Sequence, residues 1–333
     1  MSSEQTSEGA LTLSLLPFGG GVFILKEPKM TWRSILISNG GKLSLQHRQM
    51  LIQQSENEFT VPLEDIAVIV VESRETVITI PLLSALAQNG ITLLTCDEQF
   101  LPCGQWLPFS QYHRQLKTLK LQLEASLPQK KQLWQVIIQQ KIRNQSFVLE
   151  QMQHSTEAQK LRIMANSVKS GDKENFEAQA ALLYFQTAFG KNFRRWQENH
   201  INAHLNYAYT ILRSAVARSL VQYGWLPSLG LFHHNELNPF NLADDFIEPF
   251  RPLVDLMVWQ LWQKDLLESG LSPVAKQKLI GLLHYQMRFQ DQTFSVLAAI
   301  DRTISSLQIA LLSKDAKRLR LPEMLPLKEH VYE

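Results

Sequence analysis

Short apolar segments alternate with polar residues over the first third of the chain. From Thr31 to about Pro108 these segments are rich in β-branched side chains, which favour strands. They read SILIS, KLSLQ, QMLIQQ, AVIVVES, TVITI and ITLLTCD. Pro81–Asn89 differs, and predicts a short helix that ends at Gly90. We therefore predict a mainly-β domain over residues 30–110.

After Pro108 the apolar positions recur at helical spacing. Gln, Lys and Leu, all good helix formers, dominate the first segments. The predicted helices are Tyr112–Leu127, Lys130–Met152, Asp172–Phe189, Ile201–Tyr223, Phe240–Glu268, Lys276–Arg288 and Phe294–Leu312. Pro249 and Pro252 predict kinks in the fifth helix. Strands followed by helices predict an α+β fold, with an all-helical domain over residues 111–333.

Residues 1–29 follow neither pattern. Residues 10–25 are apolar, but the residues before them include Glu4 and Glu8 and no Lys or Arg, which is the wrong charge for a signal peptide. Pro17 and Gly19–Gly21 interrupt the apolar run, which is too short to span a bilayer. We expect residues 1–29 to be an extension outside the fold, and we expect no membrane segment.

The overall composition is that of an ordinary globular protein. Of 333 residues, 45% are hydrophobic and 19% are charged, so a buried core is expected. The net charge of +2 neither requires nor excludes a nucleic-acid partner. The only two cysteines, Cys96 and Cys103, suggest no secreted disulfide framework, so we expect free thiols and a cytoplasmic protein.

Positive charge is concentrated where the helical half begins. Between residues 110 and 170, ten Lys or Arg residues stand against three acids, and the basic segment Lys314–Arg320 follows near the end of the chain. Such segments can bind a phosphate backbone and release its counterions, or they can be solvated helix faces. The candidate DNA contacts in them are Lys117, Lys120, Lys130, Lys131, Arg318 and Arg320.

The segment from 230 to 255 carries the densest group of reactive side chains. Two adjacent histidines, His233 and His234, precede three acids. The acids are Asp244, Asp245 and Glu248. Spacings of three and four place Glu248 on a helix face shared with both aspartates. The group is either a metal site or an acidic helix start beside ordinary histidines.

Glu177 is a further candidate ligand, in the predicted helix over 172–189. The apolar positions Phe176, Ala180 and Leu183 mark the core face of that helix. Glu177 lies at the edge of this face, where a carboxylate is costly unless it has a partner. An exposed helical glutamate is the alternative.

Four motifs, in this order, carry a specific resemblance. They are EAxAAxxYF at Glu177–Phe185, NxxLNYxYxxLR at Asn202–Arg213, Gly230 with His233 or His234, and NLADDxxEPFRPLVD at Asn241–Asp255. Together with the opening WRSILISNGGKLSL, they resemble the CRISPR-associated spacer-acquisition endonuclease, in the form found with type II systems. The resemblance extends from residue 30 to about residue 325.

This resemblance implies a β domain followed by a helical catalytic domain that cuts and joins DNA. It implies metal ligands at Glu177, His233 and Glu248, and His233 is preferred to His234 because the family histidine follows the glycine by three residues. It places Tyr207 near the site, with either a DNA contact or a packing role. It also implies double-stranded spacer and repeat DNA as substrates, a homodimer, and a small partner protein of the adaptation complex.

Two carboxylates and an imidazole suit Mg²⁺ or Mn²⁺. Such an ion polarises a phosphodiester, either for hydrolysis or for attack by a DNA 3′-hydroxyl on the repeat. Arg251, three residues after Glu248, can pair with an acid of the site or contact phosphate.

Two other classes of protein remain open from the residues alone. In a non-catalytic DNA-binding scaffold, the acids would only cap helices. In a non-haem iron oxygenase, histidine and carboxylate would bind iron, although the β-barrel context usual for such sites is missing.

Overall fold

A computed structural model describes residues 22–24, 33–55, 57–108, 114–267 and 270–329. In these ranges nine strands and one α-helix precede residue 110. The strands are β1 (Val22–Ile24), β2 (Arg33–Ile37), β3 (Gly41–Gln46), β4 (Gln49–Gln54), β5 (Asn57–Pro62), β6 (Ile66–Val71), β7 (Thr76–Ile78), β8 (Thr92–Cys96) and β9 (Pro102–Trp106). The helix α1, Ile80–Gln88, lies within one residue of its predicted bounds.

A five-stranded sheet has the order β1-β2-β6-β8-β9. Strands β2, β6 and β8 are parallel, while β1 and β9 run antiparallel at the edges. All six residues of β6 are buried, as expected for a central strand covered on both faces.

The expectation that residues 1–29 lie outside the fold is wrong for β1. Val22–Ile24 pairs with Ile35–Ile37, because the open edge of β2 offers backbone groups to a further strand. Residues 1–21 and 25–29 lie outside the described ranges.

A second sheet, of order β5-β4-β3-β7, packs over one face of the first. Its apolar side chains share a core with α1 and with alternate residues of β2, β6 and β8, such as Ile35 and Ile69. The other face of the five-stranded sheet, including Leu36 and Val70, packs into the larger core formed by the helices. The central strands β2, β6 and β8 are therefore buried on both faces, which explains their continuously apolar sequences.

The second half contains nine α-helices in the described ranges. They are α2 (Gln115–Glu124), α3 (Leu127–Gln151), α4 (Ser155–Ser167), α5 (Phe176–Phe189), α6 (His200–Gln222), α7 (Asn241–Ile247), α8 (Arg251–Gln263), α9 (Pro273–Gly281) and α10 (Val296–Ser313). The helix predicted over this segment is interrupted at Pro249, where a 3-10 helix, Glu248–Phe250, separates α7 from α8. Pro252 lies in the first turn of α8, a position that tolerates proline, and causes no second break.

The α+β fold class is confirmed, but the second half is not all-helical. A three-stranded sheet of order β11-β10-β12 lies near its end, with β10 at Tyr285–Phe289, β11 at Gln292–Ser295 and β12 at Glu323–Glu329. The helix predicted over Lys276–Arg288 is therefore wrong in its second part. Antiparallel pairing with β12, far along the chain, stabilises β10 as a strand.

Helix α4 was not among the predicted helices. Its buried residues, Ala158, Leu161 and Ala165, do have helical spacing. The predicted boundary between the two domains, near residue 110, stays a prediction because residues 109–113 are not described.

One helix of the described chain, α10, is long and apolar enough to cross a membrane, with a mean hydropathy of 1.3. In the fold, 56% of that segment is buried, and Ile300, Ile304 and Leu307 are part of the core. Cys96 and Cys103 are both free thiols, as predicted.

Candidate active site

One face of α3 forms the base of the candidate site. Trp134 and Lys141 are seven residues apart, which is two helical turns, so both side chains point to the same side. The ring of Trp134 stacks on Phe232 at 4.2 Å between centroids and meets the edge of His233 at 5.7 Å. Lys141 reaches the two predicted acids. The same helix face therefore contacts all three predicted ligand segments.

Glu177 and Glu248 converge on a single ammonium group. The Nζ atom of Lys141 lies 2.7 Å from Oε1 of Glu177 and 2.5 Å from Oε2 of Glu248. Because the same nitrogen lies close to both atoms, the distance between Oε1 of Glu177 and Oε2 of Glu248 is at most the sum of these two distances. Glu177 comes from the first turn of α5, and Glu248 begins the 3-10 helix. The structure brings together two acids that are 71 positions apart.

Arg251 occupies the other oxygen of Glu248. Its Nε donates to Oε1 of Glu248 at 2.8 Å, and its guanidinium lies 4.6 Å from the centre of the Tyr209 ring. Burial opposes ionisation of Glu248, but Arg251 and Lys141 outweigh it and lower its pKa to about 2. Of the two roles predicted for Arg251, pairing with an acid of the site is the one this geometry provides.

His233 is held by a buried carboxylate. Its Nδ1 lies 2.8 Å from Oδ1 of Asp245, which lies in α7 and is fully buried. The same carboxylate accepts backbone N–H groups of Leu231, Phe232 and His233. The hydrogen bond that the His233 ring donates to Asp245 raises the pKa of His233 against the opposing effect of burial.

Gly230 sets the path of this loop. A Cβ atom at Gly230 would lie 2.3 Å from the carbonyl oxygen of His233, so a side chain there would force the backbone apart. The tight turn directs the imidazole of His233 toward Asp245, whereas His234 is exposed. The loop geometry therefore distinguishes the two adjacent histidines.

The donor set fits a divalent cation in two respects. The carboxylates of Glu177 and Glu248 already bind one cation, the ammonium group of Lys141. Oε2 of Glu248 is buried and forms an ion pair with Lys141, but it accepts no well-directed hydrogen bond. His233 has the arrangement usual for a metal ligand, in which a carboxylate orients one ring nitrogen. In the described ranges, however, no three His, Cys, Asp or Glu side chains are close enough together to hold an ion. Lys141 stands between the acids instead.

Residues 35–271 match the family described as CRISPR associated protein Cas1. The chain is 64% identical over 304 residues to a CRISPR-associated endonuclease Cas1 of Neisseria meningitidis serogroup C (strain 8013), an alignment that covers 91% of this chain and 100% of that protein. This chain belongs to the Cas1 family. The resemblance drawn from four motifs, and the enzyme class that it implied, are confirmed.

The Cas1 fold of the chain also appears in solved structures of low identity. A casposase bound to integration product has a TM-score of 0.69 at 20% identity, over 83% of this chain and 89% of that one. A CAS1 protein from Thermotoga maritima has a TM-score of 0.67 at 17% identity, over 84% and 97%. A Cas6-RT-Cas1--Cas2 complex matches with a TM-score of 0.69 at 17% identity, over 90% of this chain but 37% of that one. At these identities the likeness establishes the fold alone.

The residues predicted to contact DNA fall into two groups in this Cas1 fold. Lys117, Lys120, Lys131, Arg318 and Arg320 are exposed, and Lys130 is half-buried, so all six remain available for a backbone contact. Tyr207 is fully buried, and its hydroxyl donates to Oε1 of Glu72 at 3.3 Å. The DNA contact suggested for Tyr207 is therefore wrong for this structure. Its role is packing, where helix α6 meets the five-stranded sheet.

Three residues of the site were not predicted as partners of the ligands: Trp134 and Lys141 were not candidate site residues, and Asp245 was only one acid of the candidate metal group. Asp245 carried a signal, since it lies in the NLADD motif beside Glu248. Lys141 carried none, because it was one of ten basic residues in a Gln- and Lys-rich segment.

Proposed function

We propose that this Cas1 protein is a metal-dependent DNA endonuclease and integrase, which joins the 3′-hydroxyl ends of new spacer DNA to the CRISPR repeat. The observation that carries the proposal is the convergence of Glu177 and Glu248 on one cation, on the helix face that also contacts His233. Carboxylates that are buried together need a positive partner, and a catalytic divalent ion is such a partner.

Glu177, Glu248 and His233 would hold Mg²⁺ or Mn²⁺ in this proposal. When bound, the ion supplies Lewis-acid stabilisation of the phosphate oxygens in both cleavage and joining. Asp245 fixes the orientation of His233 and leaves Nε2 as its coordinating nitrogen. Arg251 keeps Glu248 ionised, so that its carboxylate stays a ligand and not an acid.

The substrate and partners follow from the family and from the charged surface. The exposed lysines and arginines would hold the DNA backbone without reading sequence. A homodimer, joined by a small partner protein of the adaptation complex, would bring two sites to the two ends of the spacer. A solved complex in which the Cas1 fold occurs together with Cas2 supports the association with a partner protein.

A strand-transfer assay tests the proposal. A labelled duplex with a free 3′-hydroxyl is incubated with repeat DNA and Mn²⁺, beside a DNA-binding titration and a thermal melt. Glu177→Ala should abolish cleavage and joining while DNA affinity stays within about tenfold, or about 1.4 kcal/mol. Glu174→Ala, which removes an exposed acid three residues earlier, is the matched control and should remain active.

A non-catalytic scaffold would give a different result. Its wild-type form would bind DNA without metal-dependent cleavage. Full activity of Glu177→Ala would remove this residue from the site, and joint loss of binding and folding would make it structural.

A further inference from the structure

Lys141 is a buried cation that has no place in the predicted ligand set. Its side chain is 10% exposed, and those of Glu177 and Glu248 are 25% and 5% exposed. A buried ammonium group is stable only when its charge is compensated. Here both compensating carboxylates are the proposed metal ligands.

We propose that Lys141 is a positioning residue of the site, whose ammonium group keeps Glu177 and Glu248 together before a divalent ion binds and competes with that ion for them. The inference rests on the proposed function, because it takes these two acids as metal ligands.

The charge balance of the site explains the competition. Two carboxylates, from Glu177 and Glu248, face two cations, Lys141 and Arg251, so the group is neutral as it stands. A divalent ion added at the same carboxylates would meet the ammonium of Lys141 at close range, in a region with little solvent to screen the repulsion. The ion can bind only if the lysine side chain moves away from at least one carboxylate.

The surrounding structure explains why lysine serves as the temporary cation. Lys141 lies inside the 25-residue helix α3, and Ile137, Ile138 and Ile142 beside it are fully buried, so its backbone is fixed. Its side chain has four rotatable methylene groups and a compact charge, which allows the head to withdraw while the helix stays in place. Arg251 is less free, since its guanidinium also lies over Tyr209.

Mn²⁺ affinity, measured by calorimetry on metal-free protein, tests this role. Lys141→Met should bind Mn²⁺ about tenfold more tightly than wild type, because the competing charge is gone. In EDTA the same variant should melt at a lower temperature than wild type, because two buried carboxylates lose their partner. Mn²⁺ should therefore raise the melting temperature of the variant by more than that of wild type.

Two further variants control the experiment. Lys141→Gln keeps a hydrogen-bond donor but no charge, and it should show the same tightening if Lys141→Met fails to fold. Lys160→Met removes one positive charge from an exposed position on α4 and should leave Mn²⁺ affinity unchanged.

Equal or weaker Mn²⁺ binding by folded Lys141 variants would overturn the inference while leaving the proposed function in place. Tight Mn²⁺ binding by the variants without strand transfer by wild type would sink the proposed function and keep the role of Lys141.

Discussion

The hydroxyl of Tyr209 donates a hydrogen bond to the carboxylate of Asp255, although both side chains are buried. Two guanidinium groups also lie over the ring of Tyr209, that of Arg251 at 4.6 Å and that of Arg195 at 5.3 Å from the ring centre. The buried pair thus supports the arginine that holds Glu248. Burial raises the pKa of Asp255 to about 6, although Tyr209 and the arginines act in the opposite direction.

The raised pKa of Asp255 predicts how stability depends on pH. The folded state binds this proton more tightly than the unfolded chain, so the stabilising contribution is complete below about pH 4 and is lost as the pH rises through 6. The loss is on the order of 3 kcal/mol. Asp255→Asn should flatten this part of the profile and raise the melting temperature at pH 8 relative to wild type. Chemical denaturation of metal-free protein between pH 4 and 8 measures this, and an unchanged profile would contradict it.

His233 and His234 should differ in their importance for metal binding. Only His233 is oriented by a buried carboxylate, and its neighbour is exposed. His233→Ala should weaken Mn²⁺ binding at least about tenfold, in the range expected when an oriented ligand is lost. His234→Ala should bind as wild type does. Calorimetric titration of both variants decides the matter, and the reverse pattern would assign the ligand to His234.

Asp245 should act through His233 and its loop. The Asp245 carboxylate accepts hydrogen bonds from the ring of His233 and from three backbone N–H groups. In Asp245→Asn, the amide that replaces it has only one accepting atom. We expect a lower His233 pKa, Mn²⁺ binding weakened about 10- to 100-fold, and destabilisation of about 1–3 kcal/mol.

NMR titration of the His233 ring provides the readout that a purely structural role would not change. Asp244→Asn is the matched control: Asp244 contacts Arg213 at 3.9 Å and Asn238 and acts on His233 through its charge, so this variant should lower the His233 pKa by less than Asp245→Asn does. An equal fall of the His233 pKa in both variants would contradict the specific role of Asp245.

The basic residues at the start of the helical half should bind DNA through phosphate charge. Replacing Lys117, Lys120, Lys130 and Lys131 by Gln should lower the salt dependence of DNA binding, by about 0.9 in the log–log slope for each lysine that contacts a phosphate. Replacing the four exposed lysines Lys42, Lys191, Lys264 and Lys328 controls for net charge and should leave the slope unchanged. Binding measured from 50 to 200 mM salt distinguishes the two sets. Identical slopes for both would mean that the first four lysines lie on solvated helix faces and do not contact phosphate.

Local sequence patterns identified most of the elements correctly. The β-branched segments before Pro108 form strands, and the long helices α3, α5 and α6 lie close to their predicted bounds. These elements depend on interactions between near neighbours, and their periodicity is visible in the sequence itself. The segment Tyr285–Phe289 was misassigned because a short apolar run suits either helix or strand until its partner β12 is known.

The order of motifs also identified the family and three candidate ligands, since each motif is a local pattern of residue types. Their convergence could not be derived in this way: Glu177 and Glu248 meet because α5 and the 3-10 helix pack on α3. The burial of Tyr207 and the position of Lys141 between the acids also depend on that packing. One lysine among ten becomes a buried counter-ion only where distant helices exclude water from it. The sequence therefore determined the elements and the reactive residue types, whereas the tertiary structure decided which charges face each other.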